Sequence, residues 1–141
     1  VKFTDQFSAG GVITRINQAG HQVPAVEKNV LNSKIMYHHA KSGVGGWVEG
    51  TWADSFFINN NNSLGSPSYL LVNTNLNYTY PVHNSRFIKF VKTYVELDNI
   101  FDKKYAAAAQ PIADSTPDAN KQAFLPGYGR SVYIGVTLGF F

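Results

Sequence analysis

From Tyr69 to Tyr80 the chain alternates. Leu70, Val72, Leu76, Tyr78 and Tyr80 share one parity, while Asn73, Asn75, Asn77 and Thr79 share the other. A period of two with one apolar and one polar side predicts a β-strand. Arg130 to Phe141 repeats the pattern: Val132, Ile134, Val136, Leu138 and Phe140 alternate with Tyr133, Gly135, Thr137 and Gly139, with no charge after Arg130. Arg86 to about Asn99 sets Phe87, Val91, Val95 and Leu97 against Lys92, Tyr94, Glu96 and Asp98. Leu31 to His39 sets Leu31, Ser33, Ile35 and Tyr37 against Asn32, Lys34, Met36 and His38. Val44 to Asp54 sets Val48 and Trp52 against Trp47, Glu49 and Thr51, its limits blurred by Gly45, Gly46 and Gly50. The pattern thus predicts five strands, with Val1 to Phe7 as the tail of a sixth.

The connections sort by length. Lys41 to Gly43 and Pro81 to Ser85 are short; Ser55 to Ser68, with its Asn59 to Asn62 run, and Ala106 to Gly129 are long. Ser8 to Asn29 is expected to be a further long loop. Strand meanders that cross an outer membrane show this asymmetry, with short turns at one end and long loops at the other. A strand of about ten residues has the length to cross a bilayer in a barrel. A polar face as regular as Asn73, Asn75, Asn77 and Thr79 suits a wall lining water. On this reading Leu70, Val72, Leu76, Val91, Val95, Val136, Leu138 and Phe140 face lipid. The aromatics Tyr37, Trp52, Tyr69, Tyr78, Tyr80, Phe87 and Tyr105 are expected to form girdles at the headgroup level.

Composition agrees with strands and narrows the chemistry. Charged residues are 15% of the 141-residue chain and aromatics 14%; soluble domains carry roughly one quarter charged residues. The absence of cysteine excludes disulfides and thiolate metal sites. The net charge of +3 comes from scattered Lys and Arg, with no basic stripe to follow phosphates, so nucleic acid is not expected as a partner. No apolar run is long enough for a membrane-spanning helix, which does not bear on barrel strands. No signal peptide is recognisable, and the expectation is that export relied on processing or on a front end missing from this chain.

Two stretches resemble a known family. V-E-L-D-N-I-F-D-K-K-Y, Val95 to Tyr105, resembles the penultimate-strand motif of TonB-dependent outer-membrane receptors, carried by Asn99, Phe101, Asp102 and Tyr105. P-G-Y-G-R-S-V-Y, Pro126 to Tyr133, resembles the segment before their last strand, carried by Pro126, Gly127 and Arg130, with Phe141 in the place of the family's terminal Phe. S-Y-L-L-V-N from Ser68 and Val23-Pro24 are similar to earlier family segments. The Pro-Gly-x-Gly-Arg-Ser string and the Asn-rich loop look most like the ferric-siderophore and ferric-citrate receptors. Two departures stand out. Phe140 rather than Phe141 is in phase with the lipid-facing residues, and the plug and energy-coupling box of the family are missing.

The resemblance implies an all-β fold: an antiparallel up-and-down meander of about five or six strands, forming the C-terminal sector of a 22-stranded transmembrane barrel. Residues 1–141 would be one part of a longer receptor in the bacterial outer membrane, with the plug and most strands elsewhere. The implied activity is energy-coupled uptake of an iron complex. The implied partners are outer-membrane lipid, the missing plug and strands, the inner-membrane TonB complex acting through that plug, and a ferric-siderophore-type ligand. No catalysis and no cofactor are expected. His38 and His39 are neighbours on a strand and point to opposite faces, so they cannot chelate together. His21 and His83 are expected at opposite ends. Asp54, Asp114 and Asp118 lack ligand spacing. The sequons at Asn61 and Asn77 carry no meaning in a bacterial barrel. The Lys92, Glu96 and Asp98 row reads as a solvated channel lining, or as a charged contact for a plug. The rival class is a small soluble β-sandwich or adhesin-like binding module, in which apolar faces would meet each other rather than lipid.

Overall fold

The computed structural model describes residues 4–9, 12–17, 19–110 and 124–140, the first two segments by their backbone alone. The fold is all-β and antiparallel. In chain order the strands are β1 (Thr4–Ala9), β2 (Val12–Asn17), β3 (Val30–His39), β4 (Val44–Ala53), β5 (Phe56–Phe57), β6 (Gly65–Ser66), β7 (Tyr69–Pro81), β8 (Ile88–Asp98), β9 (Ala106–Ala109), β10 (Phe124–Pro126) and β11 (Ser131–Phe140). They belong to two compact units. One holds Val1–Lys28, Asp54–Ser68 and Tyr105–Pro126; the other holds Asn29–Ala53, Tyr69–Lys104 and Gly127–Phe141.

The second unit is a five-stranded sheet in the order β11-β8-β7-β4-β3. Every neighbouring pair is antiparallel, and the five strands lie side by side in chain order as a meander. The five expected strands correspond to these five, within two residues at each end. Both long connections, β4 to β7 and β8 to β11, leave from one end of the sheet, as does the chain before β3. The short turns occupy the opposite end. In the turn from β3 to β4, Gly43 has a φ of +74° and its N–H donates to the His39 carbonyl at 3.0 Å. A Cβ there would lie 2.0 Å from the Thr79 carbonyl oxygen, so the turn requires glycine. The turn from β7 to β8 runs on to Phe87. Ser85 Oγ accepts the N–H groups of Phe87 at 3.2 Å and Ile88 at 3.0 Å, and this local bond delays the strand expected from Arg86.

The first unit corrects three loop expectations. Ser8 to Asn29 contains β2, which pairs with β1 in a hairpin of its own rather than extending the five-stranded sheet. Ser55 to Ser68 contains the β5–β6 pair, and Ala106 to Gly129 contains the β9–β10 pair. A small apolar core joins the last two of these segments. Phe56 and Ile58 are fully buried, with Leu64, Ala106, Ala109 and Phe124 packed on them. The Phe56 and Phe124 rings stand 6.3 Å apart and tilted. The Asn run is structural too. Asn59 is buried, and its Oδ1 accepts the N–H groups of Ser63 at 3.0 Å and Leu64 at 3.1 Å. Asn62 joins its side chain to both backbone groups of Gln22, accepting at 2.6 Å and donating at 3.0 Å.

Candidate functional site: two faces and a corner

Directly opposed residues in an antiparallel sheet share a face, so the register fixes both faces of the five-stranded sheet. One rung runs Ile35, Val48, Thr74, Leu97, Val132; the next runs Tyr37, Gly46, Leu76, Val95, Ile134. Tyr78 stands opposite Thr93 and Thr93 opposite Val136; Tyr80, Val91 and Leu138 follow. Leu70 and Val72 oppose Trp52 and Gly50 on the same side. The register therefore brings together Leu70, Val72, Leu76, Val91, Val95, Val136 and Leu138. Phe140 keeps their phase along β11, although the pairing shifts after Gly139 and sets it against Ile88. Large side chains of this face are open: Ile134 is 78% exposed, Leu76 65% and Val136 64%. Among the expected girdle residues, Tyr37, Trp52, Tyr78 and Tyr80 stand on this face. Tyr69 does not: it pairs with Ala53 and falls on the other side, because it sits one residue out of phase with Leu70. Phe87 lies in the turn, and Tyr105 belongs to the other unit.

The opposite face is polar and internally bonded. Lys34 Nζ lies 3.0 Å from Glu49 Oε2 and 3.7 Å from the centroid of the Trp47 ring. Asn75 Nδ2 donates to Glu96 at 3.0 Å and Asn77 Nδ2 to Asn75 at 3.0 Å. Trp47, Asn77, Lys92, Tyr94, Glu96 and Thr137 line a shallow concavity. The glycines of β11 fit this face by shape. A Cβ on Gly135 would lie 2.4 Å from the Tyr94 ring, and one on Gly139 would lie 2.2 Å from the Phe90 ring. Two rings of β8 thus lie across the bare backbone of β11, an aromatic cover for strand glycines. His38 and His39, on opposite faces by register, do not converge. Among the described residues no group of three His, Cys, Asp or Glu side chains could hold a metal ion.

The Asn99–Asp102 stretch builds a corner where β8 ends. Asn99 and Asp102 both adopt left-handed backbone, with φ of 47° and 49°. Asn and Asp tolerate that region better than other non-glycine residues. The Asp102 N–H donates to the Asn99 carbonyl at 2.8 Å and closes the turn. The buried Asn99 side chain does the rest. Its Oδ1 accepts the Lys103 N–H at 2.8 Å, and its Nδ2 donates to the carbonyls of Lys103 at 2.9 Å and Tyr128 at 3.0 Å. The Asn99 N–H in turn donates to Asn73 Oδ1 at 2.9 Å. Asp102 Oδ1 accepts the Arg130 N–H at 3.0 Å, one residue before β11 starts. This bond, and then the Lys104 ammonium at 3.1 Å, hold the Asp102 carboxyl below its ordinary pKa. Two amides, of Asn73 and Asn99, and the Asp102 carboxylate therefore join the end of β8, the adjacent β7 and the approach to β11.

Of the motif residues, Asn99, Asp102 and the Arg130 backbone meet at this corner. Phe101 is exposed beside them and Gly127 opens the approach to β11; Tyr105 and Pro126 lie in the other unit, where Pro126 pairs with Ala106. Phe141 lies outside the described residues. Sequence reasoning missed Asn73 as a partner of the corner, although its place at the head of the 73, 75, 77 asparagine row was visible. It also missed the Tyr128 carbonyl, which leaves no trace in residue type. No protein-family model matches the chain.

Proposed function

We propose that this chain is the C-terminal part of the barrel of a TonB-dependent outer-membrane receptor, taking up an iron complex of the siderophore or ferric-citrate kind. One observation carries the reading. The antiparallel meander has an exposed apolar face across all five strands and a bonded polar face behind it. In water such a face would be covered; in a barrel it meets lipid while the polar face lines an aqueous lumen. The sorting of long connections to one end supports the same reading, as does the resemblance of Val95 to Tyr105 and Pro126 to Tyr133 to the family's segments.

In this role the chain does no chemistry on its cargo. Leu70, Val72, Leu76, Val91, Val95, Val136, Leu138 and Phe140 anchor the wall in the outer membrane. Asn75, Asn77, Lys92 and Glu96 line the lumen, facing the plug through which the TonB complex acts. Five strands fall short of the eight of the smallest bacterial barrels, so uptake belongs to the complete receptor. The test is expression behind a signal peptide, followed by membrane fractionation and liposome uptake of a ferric siderophore. The chain is expected in the outer-membrane fraction and inactive in uptake by itself. A monodisperse soluble product would instead favour the sandwich or adhesin-like module, and saturable energy-dependent uptake by this chain alone would overturn the part-barrel reading.

A further inference from the structure

We infer that the short-turn end of the apolar face is a binding site for an anionic phospholipid, with the phosphate held by Lys41, Arg86 and Lys89 and the acyl chains laid in two hollows beside Leu76. The inference rests on the barrel reading above and adds which class of lipid the wall selects, and where.

The charges of the sheet are sorted along its strands. From Met36 to Val48, from Asn73 to Val95 and from Ser131 to Phe140 there is no Asp or Glu. These stretches hold both short turns and the strand parts next to them. The acids of the sheet, Glu49, Glu96 and Asp98, all lie further from the turns, and Glu49 has Lys34 at 3.0 Å. Lys92 belongs to the polar face. Lys41, Arg86 and Lys89 remain, all exposed, as a rim with no carboxylate side chain in the same segments to neutralise it.

The backbone gathers these cations. The Thr79 N–H donates to the Gly43 carbonyl at 2.8 Å, which sets the two short turns side by side. Lys89 has the parity of Val91 and stands opposite Val82, whose N–H donates to the Lys89 carbonyl at 3.0 Å. The β11 pairing passes from Phe90 to Ile88 and omits Lys89, a bulge of the kind that re-aims a side chain. Tyr80 and Phe87, 56% and 72% exposed, accompany the cations. Aromatic rings and long cationic side chains suit the headgroup level, with their charge toward the phosphates.

Two hollows point to a lipid rather than to an acidic protein or a free anion. Gly46 and Thr93 interrupt the large side chains of the apolar face on either side of Leu76. One hollow, of about 320 Å³, lies over Gly46 between Tyr37 and Leu76; the other, of about 240 Å³, lies over Thr93 between Leu76 and Ile134. Thr93 follows Lys89 along β8 at a distance of roughly 13 Å, from the rise per residue of a strand. A phosphate at the rim therefore puts its acyl chains at the depth of both hollows. A soluble anion would leave them empty, and an acidic polypeptide would have to enter hydrocarbon to reach them.

The test floats the full chain with vesicles of phosphatidylcholine, alone or mixed in equal parts with phosphatidylglycerol. Native mass spectrometry then counts the lipids the chain carries into mild detergent. Phosphatidylglycerol should be enriched over phosphatidylcholine by about tenfold or more. Each surface cation favours an anionic lipid by about fivefold, so Lys41→Gln, Arg86→Gln and Lys89→Gln together should erase the preference. Lys28→Gln with Lys103→Gln should keep it. Raised salt should weaken the preference of the unaltered chain. Thr93→Leu, which fills one hollow, should reduce retention of both lipids. Glycerol phosphate, a headgroup without chains, and polyglutamate should not displace the lipid. Equal retention of the two lipids, equal loss from both sets of Gln variants, a preference indifferent to salt, no effect of Thr93→Leu, or displacement by either competitor would overturn the inference and leave the barrel reading standing. Failure to float with either kind of vesicle would overturn the barrel reading, and the inference with it.

Discussion

The connecting segments bury their apolar residues, and the strands expose theirs. In the first unit Phe56 and Ile58 are 2% and 0% exposed, enclosed by Leu64, Phe124 and two alanines. In the sheet Ile134 and Leu76, equally apolar, are 78% and 65% exposed. A soluble β-protein does the reverse, packing strands on a core and leaving loops thin and polar. The difference is what the reading proposed above expects of two parts matched to different surroundings. The loop unit has a core of the kind that folds against water. The sheet has a surface that water would penalise and hydrocarbon would not. The polar atoms divide accordingly: the sheet's amides and carboxylates are gathered on the face away from Leu76, while the loop unit buries Asn59 among its own backbone groups.

Breaking the loop core is expected to give the largest effect, and a local one. Phe56→Ala should cost about 3–5 kcal/mol of that unit's stability. Chymotrypsin should then cut faster at Phe57 and Leu64, while amide protection in β7 and β8 stays unchanged. Equal loss of protection in the sheet would mean the two parts are not distinct. Next comes the sheet's outer face. If the sheet is part of the barrel proposed above, Val136→Arg or Leu76→Arg in the whole barrel should destabilise by about 2–4 kcal/mol near the bilayer midplane. Asn75→Arg, on the face that carries Glu96, should be tolerated much better. Heat-modifiable gel mobility across a urea series measures all three. Equal damage on the two faces would remove the assignment of lipid to one of them.

The corner is predicted to respond less, and it sharpens the comparison because it belongs to the sheet yet is held as a loop is. Asn99→Ala loses the amide's three hydrogen bonds and strands the Lys103 N–H and Tyr128 carbonyl. We expect roughly 1–3 kcal/mol for the unpaired buried groups and about 1–2 kcal/mol for alanine in left-handed backbone. Asn99→Gly restores the backbone preference but not the bonds, so it should recover part of the loss. If glycine rescued fully, by thermal melting in detergent, the side-chain bonds would contribute nothing.

How far these features were legible depends on the range of the interactions. The five sheet strands were readable because alternation is local and each carries several periods of it. Leu76 and Asn75 announce their faces without reference to any partner. The β5–β6 pair was not readable. Asn59 to Asn62 has loop composition, and the same asparagines that disfavour regular strands are those whose side chains replace backbone partners. Nothing local separates an Asn that caps Ser63 and Leu64 from one left in solvent. β2 was lost inside Ser8 to Asn29, a stretch expected to be one long loop. The corner was legible only as a resemblance. Asn99 was visible as a motif residue, but its partner Tyr128 is 29 residues away and contributes a carbonyl. Gly135 and Gly139 read as merely small until the rings of Tyr94 and Phe90 were found lying over them.

The smallest expected effect is a pH dependence at Asp102. Its carboxyl is held below the ordinary range, first by the Arg130 N–H and then by Lys104. The unfolded chain therefore takes up the proton first as pH falls. The contribution of the carboxylate to the corner is complete above the unfolded pKa of about 3.9 and is lost as pH drops through the lower folded value, so stability rises with pH across that window. The group is open to solvent, and its Lys104 partner is 80% exposed. Salt should thus weaken the Lys104 share and leave the Arg130 share in place. Asp102→Asn keeps an oxygen for the Arg130 N–H and removes the charge, so it should abolish the acid dependence without opening the corner. Lys104→Gln should move the transition only part of the way towards the ordinary carboxylate range. The Arg130 amide resonance, followed in micelles from neutral pH downwards, reports the protonation directly. A midpoint at or above the ordinary carboxylate value, or one unchanged by Lys104→Gln and by salt alike, would show that Asp102 shapes the approach to β11 by its position in the turn and not by its charge.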